Sequence, residues 1–412
     1  MKKENLHFHI VLGEPTVVYQ GAPGDNKSGH YQFPYLHRTE GGSILATWAY
    51  HNDSILGDGH SATAVTEAVS DDEGKSWRAK KSTDVRAYNH RVLMNNGKYF
   101  GGFYGADGYI AEFLKQHAPR ARGREFAVHF AEDLPEMPQD QFEAFEIDPK
   151  TGELERFPIR VIWPFMPVQE VMRNRALVPV KRVMSICNET GIISINGDLY
   201  YCTYSSGFDS LAQSKEAAVS GYSGYSQLYI FKSTDNGRTW TFFSQVLVDE
   251  KSYNPDPCYE GFCEPYMKLM PDGSVIIVMR TGGGLWDRAE GVPLYMVRSE
   301  DGCKTWSTPK RFDKMGVFPQ LFTYRCGVTI ATYGRPGMAL RATSDPSGRE
   351  WNDPIEIPLS DGPEWRSCYY TNLLELDDTT ALLIYSDFHR PLPDGKGEAR
   401  AITVRTVKVV LE

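Results

Sequence analysis

"STDNGRTW", residues 233–240, is the stretch on which the reading of the fold turns. It has the form S-x-D-x-G-x-x-W, and the same form stands at 70–77 as "SDDEGKSW". "SEDGCKTW" at 299–306 keeps Ser299, Asp301 and Trp306 with Cys303 in the glycine position. "SDPSGREW" at 344–351 keeps Ser344, Gly348 and Trp351 and has lost the aspartate at the third position. These residue types suit a tight turn: aspartate accepts backbone N–H bonds, glycine supplies a positive φ, and tryptophan buries the turn against its own sheet. Two full copies and two degenerate ones make an architectural repeat, which holds hairpins and does no chemistry.

Outward from these turns the chain alternates short apolar segments with Gly, Asp, Asn and Pro turns: "GSILATWAY", "GDLYYCTYS", "GSVIIVMR", "GVTIATYG", "TALLIYSD", "AITVRTVKVV". That is an all-β signature, and the regular spacing favours a sandwich, barrel or propeller. A hydrophobic fraction of 41% with 12% aromatics supplies a core, and a net charge of −9 with no basic run argues against nucleic acid. No uncharged apolar window of about 18 residues appears, so no membrane span is expected. In "MKKENLHFHIVLGEP" Glu4, His7 and His9 interrupt what would be the apolar part of a signal peptide, which suits a cytoplasmic protein or the mature form of an exported one. The cysteines number seven, and the closest-spaced pair, Cys258 and Cys263, lacks a second pair. No cofactor is required by the sequence, and a structural or substrate-bridging metal is left open. Residues 107–146 read as a helical or irregular insertion, and "SLAQSKEAAVSG" at 210–221 as a loop or short helix.

With its tryptophan turns set between apolar strands, the chain resembles the sialidase superfamily, whose propeller blades carry such Asp-boxes (BNR repeats) between their third and fourth strands. The resemblance covers roughly residues 15–410. It implies a β-propeller of six or seven four-stranded blades, and at about 50 residues per blade seven is slightly preferred. One domain spanning 1–412, interrupted at about 107–146, and an active site at the end of the central tunnel are the further expectations.

Sialidases bind the substrate carboxylate with three arginines, use a tyrosine nucleophile assisted by a glutamate, and have an aspartate as acid/base. "CEPYMKLMPDGSVIIVMR" is similar to the segment carrying the glutamate and second arginine, which gives Glu264 and Arg280. "YGRPG" resembles the third-arginine segment and gives Arg335; "CYYTNLLELDD" resembles the nucleophile segment and gives Tyr370, with Tyr369 as its neighbouring possibility. A guanidinium fork matches a carboxylate, and a nearby carboxylate helps ionise a phenol. The first-arginine position departs from the pattern, because "YQFPYL" has Gln32 there, while Asp58 in "LGDGHS" falls where the acid/base would stand.

The departure directs attention to the histidines flanking that strand. Propeller polysaccharide lyases of the ulvan and rhamnose–glucuronate type share the fold and work with a histidine pair, a tyrosine and arginines. In "GHYQFPYLHRTEGGSILATWAYHND" (29–53), a turn centred on Glu40–Gly41 sets His30 opposite His51. The resemblance offers Tyr104 as the tyrosine and Arg120 as the carboxylate partner, with Arg122 and Arg124 as alternatives; His37, His60 and His90 lie near enough to compete with the pair. The sequence therefore leads to an enzyme that cleaves an oligo- or polysaccharide at an anionic sugar. β-Elimination at a uronate is preferred, with sialidase-like hydrolysis second and a non-catalytic glycan-binding propeller third.

Overall fold

The computed structural model describes residues 6–25, 30–39, 41–50, 65–80, 92–105, 121–122, 126–130, 142–151, 153–162, 165–173, 176–179, 191–206, 226–246, 262–281, 293–314, 316–335, 337–359 and 370–412. Among them there is no helix, and the strands run as successive antiparallel meanders in a propeller-like arrangement. The first meander is His30–Arg38, Ile44–Tyr50, Glu67–Ser70 and Arg78–Lys80. The second is Val92–Leu93, Tyr99–Gly105, Phe142–Ile147 and Leu154–Ile162. Ile192–Ile195, Asp198–Ser206, Ser226–Ser233 and Thr239–Val246 form the next, joined to the second by parallel pairing of Arg160 with Thr239. Two more follow: Phe262–Leu269, Val275–Thr281, Leu294–Ser299, Lys310–Asp313; then Val317–Thr323, Thr329–Gly334, Met338–Thr343, Ile355–Glu356.

The closing sheet joins distant parts of the chain. Thr371–Glu375 and Thr380–Pro391 lead to Glu398–Leu411, whose other edge takes both Phe8–Leu12 and Thr16–Gln20, with Phe8 opposite Leu411 and Thr16 opposite Val404.

The region read as a helical or irregular insertion is strand wherever it is described. Ala121–Arg122 and Phe126–Phe130 join Phe165–Arg173 and Ala176–Pro179 in a further four-stranded sheet, while Phe142–Ile147 belongs to the second meander. "FAVHF" has the β-branched and aromatic content that a strand favours over a helix. The 210–221 stretch lies outside the described residues.

The cores lie between sheets. Val275–Thr281 is buried at every position, as a middle strand covered on both faces requires. Ile277 packs with Ile193, Leu228 and Ile230 of the preceding meander, while Ile276 packs with Leu321, Ala331 and Tyr333 of the following one. Leu383 and Leu382 divide in the same way between two seams.

The tryptophan turns join the third strand to the fourth and clasp the preceding meander. Ser70 Oγ accepts the Gly74 N–H (2.8 Å) and donates to Asp72 Oδ1 (2.8 Å). That oxygen also accepts Ser76 N–H (2.9 Å), and Trp77 Nε1 donates to Gly74 O (3.1 Å). Ser233, Asp235, Gly237 and Trp240 repeat the set. At the third copy Cys303 takes the left-handed conformation (φ 68°), and Ser244 of the preceding meander accepts from Trp306 Nε1 and donates to Cys303 O. The fourth copy corrects the sequence reading. Its aspartate is retained as Asp345, because the turn starts at Thr343, the last residue of its strand, and one extra residue follows. Thr343 Oγ1 accepts from Asp345 N–H, Asp345 accepts the Arg349 N–H, and Trp351 donates to Gly348 O.

Candidate active face

The topology gathers the candidate residues at one end. First strands start, and second strands finish, on the face opposite the tryptophan turns. Glu264, Tyr370, Gln32 and His30 lie at or beside first-strand starts; Arg280 and Arg335 lie at second-strand ends.

Three of these first strands share a device. Register slips occur between Gln32 and Tyr35, Cys263 and Tyr266, and Val317 and Gln320. Within each slip one residue has positive φ: Phe33 (50°), Glu264 (44°) and Phe318 (50°). Each is followed by proline, Pro34, Pro265 or Pro319. Proline has no N–H for the ladder, so it fits at a bulge. A left-handed residue other than glycine costs roughly 1–3 kcal/mol and clusters at functional sites.

The Glu264 bulge builds a charged pair. Arg280 stands in register beside Cys263, and its Nη1 donates to Glu264 Oε1 at 2.6 Å, both side chains being nearly buried. Glu264 Oε2 accepts the Phe318 N–H of the neighbouring first strand at 3.1 Å. Phe318 in turn meets Tyr370 edge-on, with centroids 4.8 Å apart, and Tyr370 stacks on Phe33 at 4.1 Å. Arg280, Glu264, Phe318, Tyr370 and Phe33 are thus contiguous. Tyr370 is buried in an aromatic cluster with Tyr35, Val317 and Phe318. Arg335 follows Gly334 with φ 54°, is buried, and donates its backbone N–H to Gly337 O. Gln32 is buried beside Phe33, and its Oε1 has no hydrogen-bond partner among the described residues. Cys263 is buried, with Sγ 3.8 Å from Arg280 O.

His30 occupies a second cluster on this face, and the expected histidine opposition does not form. The hairpin pairs Arg38 with Ile44, but by the strand start His30 faces Tyr50. Two register slips, between His30 and Gln32 and between Gln32 and Tyr35, shift the pairing, with Tyr31 (φ 58°) and Phe33 supplying the turned backbone. The His30 ring stacks on Tyr50 with centroids 3.9 Å apart. Its Nδ1 is hydrogen-bonded to Asp25 Oδ1 at 2.5 Å, while Asp25 Oδ2 accepts from Tyr50 (2.8 Å) and Tyr31 (3.1 Å). Burial opposes charge on Asp25, but the bonds from His30, Tyr50 and Tyr31 together hold its carboxyl below the usual range. Burial and then the Asp25 charge push the Tyr31 phenol up; burial and the Asp25 bond do so for Tyr50.

Tyr104 lies in its strand opposite Glu143, and Arg122 lies in Ala121–Arg122. His37 is buried in the first strand, one of the positions below the bulge. His51, Asp58, His60, His90, Arg120, Arg124, Cys258 and Tyr369 lie outside the described residues. Sequence reasoning missed Asp25 and the bulges. The signals were present: "APGD" five residues before His30, and X-Pro at the start of three first strands.

No protein-family model and no curated protein sequence matches the chain. Solved structures do resemble it. A protein of unknown function from Dyadobacter fermentans is 16% identical, with a TM-score of 0.58 over 97% of this chain and 99% of that one. A sialidase from the Hadza microbial community is 14% identical, TM-score 0.51, over 96% of this chain and 68% of that one. An α-L-arabinofuranosidase from Fusarium graminearum, solved with an iminosugar inhibitor, is 14% identical, TM-score 0.51, over 96% and 98%. At these identities the likeness establishes the sialidase-like propeller fold.

Proposed function

We propose that this chain is a carbohydrate-active enzyme that cleaves a glycan at or beside an anionic sugar, acting as a glycoside hydrolase. The observation that carries the reading is the Glu264–Arg280 pair, nearly buried and held on a strained bulge at the strand-start face, with Arg335 at a neighbouring strand end. The names of the two similar enzymes, a sialidase and an arabinofuranosidase, agree with glycoside hydrolysis on this scaffold.

In this reading Arg280 and Arg335 receive the substrate carboxylate, with Gln32 donating a hydrogen bond where a third arginine would add charge. Tyr370 attacks the anomeric carbon as its phenolic proton passes to Glu264, the glycosidic C–O bond breaks, and Asp58 gives its proton to the departing oxygen. Water, giving a proton to the Asp58 carboxylate, then cleaves the tyrosyl–glycosyl bond, and the phenol regains its proton from Glu264. Glu264 acts on the nucleophile's side and Asp58 is the acid. The test is turnover of fluorogenic sialoside and arabinofuranoside by wild type and Tyr370→Phe. The phenylalanine preserves the stack on Phe33, so the fold should persist while turnover falls on the order of 10⁴-fold or more, as loss of a covalent nucleophile does. Full retained rate removes Tyr370 from the mechanism.

One observation favours a second reading, β-elimination at a uronate. His30 is an imidazole anchored to a carboxylate beside two tyrosines. A base would take the C5 proton, the C4–O bond would break with protonation of the leaving oxygen, and a C4=C5 double bond would remain. Ultraviolet absorbance growing on a uronate polysaccharide, with no release from the fluorogenic glycosides, would decide for elimination.

A further inference from the structure

Asp25 is aimed by a turn that the sequence encodes. In Ala22-Pro23-Gly24-Asp25 the Asp25 N–H donates to Ala22 O at 3.2 Å, and Gly24 has φ 81°. Proline at the second position and a left-handed glycine at the third are what a type II turn requires. The carboxylate that follows takes three donors, His30, Tyr31 and Tyr50, with both oxygens used. The residue it holds is gripped on other sides too: Tyr50 stacks on one face of the ring, Tyr31 stands edge-on at 6.4 Å, and Arg400 Nη1 donates to the His30 backbone carbonyl at 3.1 Å. Asp25, Tyr31 and Tyr50 are thus titratable groups set against the imidazole, and Arg400 is a charged group on its backbone.

An ionised carboxylate can only accept, so the proton on the Asp25–His30 bond belongs to the ring. We infer that Asp25 is the positioning residue of His30, fixing the Nδ1–H tautomer and leaving Nε2 as the nitrogen that exchanges a proton with the substrate. The inference rests on this face being where glycan is cleaved, and it adds to either chemistry a proton-transfer group with a set tautomer. Both tyrosines serve the lock, since each phenol spends its O–H on Asp25, and the second carboxylate oxygen is thereby occupied.

The experiment reads the ring directly. Protein labelled with 15N in histidine is examined by NMR, the His30 signals being assigned by their loss in His30→Gln. The wild type should show His30 with Nδ1 protonated and Nε2 bare. Asp25→Asn keeps the shape but offers one acceptor oxygen to three donors, so the Nε2–H form should appear. On the glycan that the wild type turns over, kcat should fall about 10²-fold, the lower end of what a placed acid–base group contributes, with KM little changed. A wild-type His30 carrying its proton on Nε2 overturns the inference, and so does a tautomer unmoved in Asp25→Asn or a scrambled tautomer with unchanged kcat. A wild type that shows the locked tautomer yet cleaves no glycan refutes the enzymatic reading and leaves the Asp25–His30 lock standing.

Discussion

Substituting Gly237 by alanine drives a methyl group into the seam between two meanders. A Cβ at this position, with φ 79°, would stand 2.4 Å from Cε2 and 2.7 Å from Cδ2 of Phe100. The ring has nowhere to retreat, being fully buried with Trp240 edge-on at 5.7 Å and Phe157 at 6.3 Å. Left-handed backbone costs an L-residue roughly 1–2 kcal/mol, and overpacking a filled site adds about 1–3 kcal/mol. The expected loss is therefore about 2–5 kcal/mol. Gly273 is the control: its φ is 88°, yet a Cβ there meets nothing within 4 Å. Gly273→Ala should cost only the backbone part, about 1–2 kcal/mol. Urea unfolding followed by tryptophan fluorescence measures both at equal m-value. If Gly237→Ala costs no more than Gly273→Ala, the turns do not clasp the neighbouring sheet as described.

Further outcomes follow from the same structure. Glu264→Ala removes the carboxylate that Arg280 Nη1 donates to and should destabilise by up to about 3–5 kcal/mol in the same urea assay, with Glu264→Gln, which keeps the shape and an acceptor oxygen, costing less. Cys303→Gly relieves a left-handed cysteine but empties part of a packed seam, two effects of roughly 1 kcal/mol each and opposite sign, so stability should hardly change. Bonds from Ser76 pull Asp72 down to about 2, and bonds from Thr305 do the same for Asp301. Since unfolded aspartate titrates near about 3.9, their stabilisation is full above that pH and is lost as pH falls through about 2. The double change Asp72→Asn with Asp301→Asn should flatten the loss of stability between those limits, read as unfolding midpoints against pH.

The fold was legible because its repeat is chemical. Ser, Asp, Gly and Trp at fixed offsets have one structural use, so "SDDEGKSW" and "STDNGRTW" were enough to place turns between strands. The fourth copy was misframed by a single residue, since Thr343 does the work assigned to Ser344 and an insertion hides Asp345 from a fixed-spacing pattern. Register was the harder matter. Counting outward from a turn assumes an unbroken ladder; with Arg38 opposite Ile44 such a ladder would set His30 opposite position 52, and the two one-residue slips at Tyr31 and Phe33 bring it to Tyr50 instead. Pro34, Pro265 and Pro319 were the visible warning, because a proline inside a strand has to sit where the ladder is broken. Glu264 and Arg280 were legible as a pair through the buried strand that precedes Arg280. Asp25 was not, because a carboxylate on a turn has no periodicity to betray it.

The pairing of Glu398–Leu411 with Phe8–Leu12 has a kinetic consequence. These strands are roughly 400 residues apart in the chain, and bringing such ends together costs about 5 kcal/mol beyond the length-independent constant. During synthesis at about 5–20 residues per second, the first strands must wait roughly 20–80 s for the partner that covers their backbone. The nascent protein is thus an open arc with bare edges for most of its time on the ribosome, and the rate at which the last strand is delivered governs how long those edges are available to other chains.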